Sequence, residues 1–292
     1  MTDILQLVVA GLATGAIYAL AAIGFTLLWQ TSQTINFAQG EFVMLPAFFA
    51  LAAMHWWGAP FGLAALLAIA ASMLLLGVVF KAVIVDPLIR RGVLPLVIST
   101  IAVALLLKDG TKIAYSAEAQ PFPSVFPDKL VSIAGITVSL AQIGVLAAAA
   151  ATIAALQWFL GQTRLGRQMQ ATAQNPTVAR ILGVNVDRMI LYTFLINAAL
   201  AAIASLLVSP IYLAKFSNGE HLGLAAFVAA IVGGFNQVRG AIAGGLLVGV
   251  IDNLAATYVS TAYRQAVPLV LLVLIILFRP QGLLGRREER VI

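Results

Sequence analysis

Long apolar segments separated by short polar loops dominate this sequence of 292 residues. A bilayer core requires about 20 apolar residues for each crossing helix, although broken or re-entrant helices can be shorter. By that measure the chain has nine segments, at 4–29, 41–57, 61–85, 93–107, 140–160, 189–209, 222–235, 240–258 and 266–279. Because 62% of the residues are hydrophobic and only 10% are charged, a soluble domain could not bury this apolar surface. The sequence therefore predicts an all-α, polytopic integral membrane protein with eight to nine hydrophobic segments.

Composition and motifs exclude several classes of function. The chain has no cysteine, so metal sites that need sulfur ligands and thiol nucleophiles are excluded. His55 and His221 lie far apart and outside an HExxH context, and there is no Walker A motif. We therefore expect neither catalysis nor a metal or cofactor bound by this chain. The net charge of +6 comes from Lys and Arg beside apolar segments, where they set membrane orientation and do not indicate nucleic acid binding.

A polar, glycine-containing break interrupts the apolar pattern twice. The first copy is Asn36-Phe37-Ala38-Gln39-Gly40-Glu41, and the second is Lys215-Phe216-Ser217-Asn218-Gly219-Glu220. When the sequence is shifted by 179 residues, Phe37 to Ala50 match Phe216 to Ala229 at seven of fourteen positions. In membrane proteins, hydrophobic segments interrupted at corresponding positions of two halves indicate a solute pathway at the repeat interface. We therefore predict discontinuous helices that begin at the two breaks and line a pathway.

Basic residues in short loops collect on the cytoplasmic side and so predict the orientation. Three clusters follow the third, fifth and last segments: Arg90 and Arg91; Arg164, Arg167, Arg180 and Arg188; Arg279, Arg286, Arg287 and Arg290. Counting crossings places all three clusters on one face, the N-terminus outside, the C-terminus in the cytoplasm, and the two breaks on opposite faces. We predict one transmembrane domain over 1–292, with inverted-topology repeats at about 4–115 and 189–280 and a cytoplasmic loop at 161–188 between them.

The candidate pathway residues are the polar and glycine positions of the breaks and one ionisable residue inside an apolar segment. They are Asn36, Gln39, Gly40, Glu41, Asn218, Gly219, Glu220 and Asp252. A carboxylate in the first turn of a helix is also stabilised by the helix dipole, so Glu41 and Glu220 could simply cap their helices. Asp252 would cost about 2.5 to 3.5 kcal/mol in lipid, so it faces either the pathway or a hydrogen-bonding helix. Further polar residues inside apolar segments, expected at helix–helix contacts, are Tyr18, Thr100 and Asn197.

The loop between the two halves has the signals of two short helices. Asn175 is suited to cap a helix that begins at Pro176, and Gly183 is suited to the position just after its end. We therefore predict helices at 164–173 and 176–182. An apolar face is supplied by Val178, Ile181 and Leu182. A solvated basic loop would also explain the arginines, but the caps and the apolar face favour docking on a partner protein.

Together these features resemble the LivH-type permeases of branched-chain amino acid ABC importers, and the resemblance covers essentially the whole chain. The motifs that carry it are Gly15-Ala16-Ile17-Tyr18-Ala19-Leu20, Asn36-Phe37-Ala38-Gln39-Gly40-Glu41, Thr163-Arg164-Leu165-Gly166-Arg167, Asn175-Pro176, Ala179-Arg180 to Gly183, and Arg279-Pro280-Gln281-Gly282-Leu283-Leu284-Gly285.

The resemblance implies a transport subunit of a bacterial inner membrane importer, not an enzyme. Such a permease translocates branched-chain or other hydrophobic amino acids that a soluble binding protein hands over. It pairs with a second homologous permease subunit, and two cytoplasmic ATPase subunits hold ATP and magnesium. The residues that the resemblance assigns to the ATPase contact are Arg164, Gly166, Arg167, Arg180 and Gly183.

Three positions depart from the family pattern. Gln170 stands where a third arginine is common, and Pro46 and Ser205 stand where glycine is common. Pro46 predicts a local kink. Permeases for urea or short amides share the same motifs, and ion-coupled secondary transporters also use inverted repeats and broken helices, so both alternatives stay open at the level of sequence.

Overall fold

The structure is a computed structural model that describes residues 2–127, 129–133, 136–260 and 266–285. Its helices are α1 Thr2–Ser32, α2 Gln39–Trp57, α3 Phe61–Leu88, α4 Val93–Ala114, α5 Leu140–Gln162, α6 Arg164–Gln174, α7 Pro176–Ile181, α8 Val186–Tyr212, α9 Asn218–Gly233, α10 Val238–Tyr258 and α11 Ala266–Phe278. Two strands, β1 Leu130–Ile133 and β2 Ile136–Ser139, form an antiparallel hairpin in which Leu130 pairs with Ser139. The basic residues Arg286, Arg287 and Arg290 lie outside the described residues.

Each of the nine predicted apolar segments corresponds to a helix, which confirms an all-α, polytopic membrane protein. Within the described residues, six helices are long and apolar enough to cross a bilayer: α1, α3, α4, α5, α8 and α10. The fourth predicted segment ended at 107, whereas α4 continues to Ala114 through Lys108, Asp109 and Lys112. An apolar pattern stops at the first charged residues, although the helix does not. The β-hairpin was likewise absent from the prediction, which left 108–139 as a loop.

Helix α1 is the centre of the bundle and packs closely against α10. Ideal Cβ atoms on Gly11 and Gly15 would lie 2.6 Å from Cα of Val250 and 2.7 Å from the carbonyl oxygen of Gly245. Side chains at these positions would separate the two helices, so glycine permits the close backbone contact that stabilises helix pairs in membranes. The successive pairs show that α1 and α10 are antiparallel.

Two helices, α2 and α9, begin inside the bundle and not at its ends. Gln39, the first residue of α2, donates a hydrogen bond to the side chain of Asn197 near the middle of α8. His221, in the first turn of α9, contacts the hydroxyl of Tyr18 near the midpoint of α1. The chain therefore returns from the end of α1 through 33–38, and from the end of α8 through 213–217, before each helix starts.

The two half-helices run in opposite directions. Helix α9 is parallel to α1. Along both helices, the contacts between them advance from His221–Tyr18 to Phe227–Phe25 and, in the turn after α9, to Phe235–Trp29. Helix α2 is parallel to α8, because the contacts between them advance along both helices from Gln39–Asn197 to Ala47–Ser205. Helix α6, which α7 connects to the start of α8, lies beside the end of α1, so α1 and α8 are antiparallel.

The prediction that the two breaks lie on opposite faces is wrong. The structure places Gly40 and Gly219 in direct contact. Counting charged loops shows at which end of the bundle each connection enters, but it does not show that the chain then returns to the interior. The two return segments, 33–38 and 213–217, do enter the bundle from its opposite ends. The repeat boundaries 4–115 and 189–280 stay predictions.

Candidate functional site

The N-termini of α2 and α9 meet through glycine backbone. A Cβ atom on Gly40 would overlap the carbonyl oxygen of Gly219, and one on Gly223 would lie 2.8 Å from Cα of Gly40. Helix N-termini carry exposed N–H groups and a partial positive charge. Two such ends at one place favour negatively charged groups between them.

Glu41, in the first turn of α2, is buried at this meeting point with a relative exposure of 4%. Its carboxylate lies against Gly219, since a Cβ atom there would be 2.5 to 2.6 Å from the carboxylate atoms. Within the described part of the chain, Glu41 Oε2 has no hydrogen-bond partner. Buried polar atoms nearly always have a hydrogen-bond partner, so this oxygen is one of few exceptions among the described residues.

Glu220, the equivalent residue of α9, is in a different environment. Its carboxylate accepts a hydrogen bond from Lys108 of α4, and their side chains are 63% and 21% exposed, respectively. Both groups are close enough to Glu41 to interact with its carboxylate electrostatically. We call Glu41, Glu220 and Lys108 the junction cluster.

The junction cluster lies halfway along the bundle. Glu220 precedes His221, which contacts Tyr18 next to the midpoint of the 31-residue helix α1. Ionised side chains at that depth are costly in lipid and almost always face protein or a water-filled cavity. The exposed side of the Lys108–Glu220 pair therefore faces water or a partner protein and not the bilayer.

The other polar residues of the two breaks hold the chain in place. Gln39 and Asn197 form two hydrogen bonds of 2.7 and 2.9 Å between their side-chain amides, and both residues are fully buried. The Asn36 side chain accepts from the N–H of Ala38 at 3.0 Å, and Asn218 donates to the carbonyl oxygen of Leu213. These contacts explain how the return segments can end at a helix start inside the bundle.

A second polar group links α9 to α1 and α10. The Tyr18 hydroxyl donates to Asp252 Oδ2 at 3.0 Å and lies 3.2 Å from His221 Nε2. The sequence analysis assigned no site to His221, because it lies far from His55 and outside an HExxH context, whereas its contact here is with Tyr18, 203 residues away. Asp252 is buried, and its contact with Tyr18 is the helix–helix hydrogen bond that was one of its two predicted roles. Among the described residues there is no group of three or more His, Asp or Glu side chains that could hold a metal ion.

The loop between the halves forms the two predicted helices, α6 and α7. The Asn175 side chain accepts from the N–H groups of Thr177 and Val178, both at 3.0 Å, and Gly183 follows α7 with φ of 83°. Gly166 packs so closely that an added Cβ atom would lie 2.5 Å from Cα of Leu160. The outer surface of α7 and its end carries three exposed apolar residues, Val178, Ile181 and Leu182.

The charged residues of this loop are mostly free for contacts outside the chain. Arg180 lies 3.9 Å from Asp187, and both side chains are largely exposed. Arg164 and Arg167 are also exposed, on the outer side of α6. A surface with exposed arginines and an adjacent apolar face is suited to a protein partner.

An open cavity of about 640 Å³ lies beside α6 at the end of α1. Its walls come from α1, α5, α6 and the turn before α10, and six of its lining residues are glutamines: Gln30, Gln33, Gln157, Gln170, Gln174 and Gln237. Gln170, where the resemblance leads us to expect arginine, therefore belongs to a glutamine-rich wall that also contains Arg239.

The C-terminal motif has a structural role at the same end. The N–H groups of Leu283 and Leu284 donate to the carbonyl oxygens of Val232 and Gly233 at 2.8 and 2.9 Å. The tail thus satisfies carbonyl groups at the end of α9, and Gly282 contacts Gly234 with φ of 78°.

Comparison with known proteins identifies the family. The family model described as "Branched-chain amino acid transport system / permease component" matches residues 7–276. The chain is 34% identical to the high-affinity branched-chain amino acid transport system permease protein BraD of Pseudomonas aeruginosa, over 97% of this chain and 96% of that protein. It is 33% identical to LivH of Escherichia coli K12 over the same shares, and 28% identical to a probable LivH of Methanocaldococcus jannaschii over 91% and 88%. The search of solved structures gave no match.

The matched region contains both half-helices, the junction cluster and the loop helices α6 and α7. With a family model matched over 7–276 and relatives above 30% identity along nearly their whole lengths, the chain belongs to the family of branched-chain amino acid transport system permease components.

Proposed function

We propose that this chain is the permease subunit of a bacterial ABC importer that translocates branched-chain or other hydrophobic amino acids. The junction cluster is the observation that carries the proposal. An exposed ion pair halfway along a membrane-spanning bundle requires water or protein in front of it. A solute pathway that passes the two half-helix starts supplies that environment.

The second wall of this pathway is a homologous permease subunit. One chain leaves Glu220 with a 63% exposed side chain, so the pathway is not enclosed by this subunit alone. A heterodimer or a homodimer that faces both junction clusters inward would enclose it. The candidate pathway residues are those of the breaks, with Asn36, Gln39 and Asp252 behind the pathway wall and Gly40, Glu41, Asn218, Gly219 and Glu220 nearer to it.

ATP and magnesium are held by two cytoplasmic ATPase subunits, because this chain has no nucleotide-binding motif. The ATPase contact is formed by α6, α7 and the two residues that follow α7. The residues that shape its surface are Arg164, Gly166, Arg167, Arg180 and Gly183. This contact places the loop and the C-terminus in the cytoplasm and the N-terminus outside. A soluble binding protein delivers the amino acid from the outer side of the plasma membrane.

The proposed substrate class is supported by the relatives, whose names specify branched-chain amino acid transport. Delivery by a binding protein removes the need for tight binding in the permease. A weakly polar pathway with few charged groups suits a zwitterion with an apolar side chain better than a polyanion or a metal ion.

The experiment that tests the proposal combines uptake with copurification. Arg167→Glu together with Arg180→Glu should abolish copurification of the ATPase and uptake of leucine, while membrane insertion is retained. Arg188→Glu, at the start of α8 and outside the loop helices, is the matched control and should retain both. Unchanged copurification and uptake in the double variant would contradict the proposal.

The energy source separates an ABC importer from an ion-coupled transporter. Uptake should persist in proteoliposomes that contain ATP and an uncoupler, and it should disappear when the ATPase carries an inactive Walker motif. Uptake that collapses with the uncoupler in the presence of ATP would instead identify an ion-coupled secondary transporter.

A further inference from the structure

Charged groups of both signs surround the half-helix starts. Three carboxylates, those of Glu41, Glu220 and Asp109, interact electrostatically with Lys108. Lys112 lies 5.4 Å from the ring centre of Phe216, and Lys215 precedes that ring in the chain. What distinguishes Glu41 within this cluster is therefore its burial and its hydrogen bonding, not a surplus of negative charge.

Glu41 is the member of the cluster that is buried without a full set of hydrogen bonds. This residue is 96% buried, since its relative exposure is 4%, and its Oε2 atom has no hydrogen-bond partner among the described residues. Lys108 is engaged with Glu220, whose carboxylate is the more exposed one. A primary ammonium group, with three N–H donors and one positive charge, supplies the hydrogen-bond donor that Oε2 lacks.

We propose that Glu41 binds the α-ammonium group of the transported amino acid, while Lys108 exchanges the carboxylate of Glu220 for the carboxylate of that solute. This inference rests on the proposed function and gives the site its substrate chemistry. The exchange at Lys108 is inexpensive, because exposed ion pairs contribute little and Glu220 remains hydrated when it is released. A zwitterion offers an ammonium group to Glu41 and a carboxylate to Lys108, whereas an uncharged amide offers a charged group to neither residue.

A single reporter cysteine can detect occupancy of the site. The chain has no cysteine, and Leu224 is 38% exposed and lies one turn after Glu220 on the same side of α9. In the assembled importer in proteoliposomes, Leu224→Cys is alkylated with a maleimide in the presence of one of three probes. Leucine carries both charged groups, isopentylamine carries only the ammonium group, and 4-methylpentanoate carries only the carboxylate.

We expect leucine and isopentylamine to slow alkylation and 4-methylpentanoate to have little effect. Adding Glu41→Gln should weaken protection by leucine and isopentylamine by about tenfold or more, as loss of a buried charge-assisted hydrogen bond requires. Glu41→Asp should restore part of the protection. Glu118→Gln, at an exposed carboxylate in the connection after α4, is the control and should retain protection by leucine.

Two results would overturn the inference while leaving the pathway intact. The first is protection by 4-methylpentanoate equal to that by leucine, which decides the question without any change at Glu41 and so does not depend on the folding of a variant. The second is full protection in the Glu41→Gln variant. If no probe protects the cysteine and its alkylation leaves uptake unchanged, then the pathway itself, and with it the proposed function of this site, is contradicted.

Discussion

The starts of α2 and α9 share a sequence pattern but lie in opposite environments. Gln39 is fully buried against Asn197, whereas Asn218, its counterpart in α9, is partly exposed and donates a hydrogen bond to the carbonyl oxygen of Leu213 in its own return segment. Glu41 is 4% exposed, while the Glu220 side chain is 63% exposed and paired with Lys108. The start of α2 is therefore a packed wall of buried residues, and the start of α9 is an exposed surface.

The neighbours of each start account for this difference. Helix α2 begins between α1, α8 and α9, so its first turn is enclosed by other helices. Helix α9 begins beside α2 and is held to α1 and α10 through Tyr18 and Asp252, whereas its exposed Glu220 side chain pairs with Lys108 of α4. A duplicated motif thus reproduces the helix break, and the surrounding helices decide whether its carboxylate has a partner.

Alanine substitution at the equivalent residues Gly40 and Gly219 should give the largest difference in stability between the α2 start and the α9 start. A Cβ atom on Gly40 meets the backbone of Gly219 and Gly223, which cannot move without shifting α9, whereas the atoms nearest to one on Gly219 belong to the end of the Glu41 side chain. We expect Gly40→Ala to destabilise the protein by about 3 kcal/mol or to prevent assembly, as overpacking against backbone does. Gly219→Ala should cost clearly less, measured by thermal unfolding in detergent.

The control for this pair is Gly62→Ala, because within the described residues no atom lies within 4 Å of a Cβ atom placed there. It should leave the unfolding temperature nearly unchanged. Equal losses for Gly40→Ala and Gly219→Ala would mean that the two starts are packed alike.

The amide pair should be the next largest difference. Asn197→Leu leaves the Gln39 amide buried without its partner, which costs about 1 to 3 kcal/mol of unfolding free energy. The double variant Gln39→Leu with Asn197→Leu should recover part of this loss. Asn218→Leu, at the equivalent position of α9, should cost little, and a loss as large as that of Asn197→Leu would remove the distinction.

The Tyr18 hydroxyl is the corresponding anchor of α9. Tyr18→Phe removes the donor to Asp252 and the contact with His221, so we expect a loss of about 1 kcal/mol and faster amide hydrogen exchange in the first turn of α9. Tyr258→Phe is the control, since that side chain is 62% exposed at the end of α10. Unchanged exchange in α9 would show that Tyr18 does not hold this helix start.

Local signals in the sequence predicted the helices and their caps. Asn175, Pro176 and Gly183 specify α7 through side-chain capping, a fixed φ and a left-handed backbone, all within nine residues of chain. The broken starts were also predicted, because a polar, glycine-containing break between apolar segments is local. The assignment of α6 and α7 to an ATPase contact stays a prediction.

The contacts that make the site could not be predicted, because they join residues far apart in the chain. Gln39 and Asn197 are separated by 158 residues, and Tyr18 and Asp252 by 234. Two departures from the family pattern illustrate the same point. Ser205 accepts a hydrogen bond at 3.0 Å from the N–H of Ala47, the residue after Pro46, so these two unusual residues belong to one contact.

The smallest effect on stability, with a large effect on transport, should come from the exposed pair. Exposed ion pairs contribute about 0 to 1 kcal/mol, so Lys108→Gln should change the unfolding temperature little. Leucine uptake should nevertheless fall by about tenfold or more, because the pathway loses its cation for the solute carboxylate. Lys112→Gln, one turn later on α4 and over the Phe216 ring, should retain most of the uptake. If Lys108→Gln instead unfolded the protein as readily as Gly40→Ala, then the α9 start would be a packed wall like that of α2, and the asymmetry on which a pathway at this surface depends would be lost.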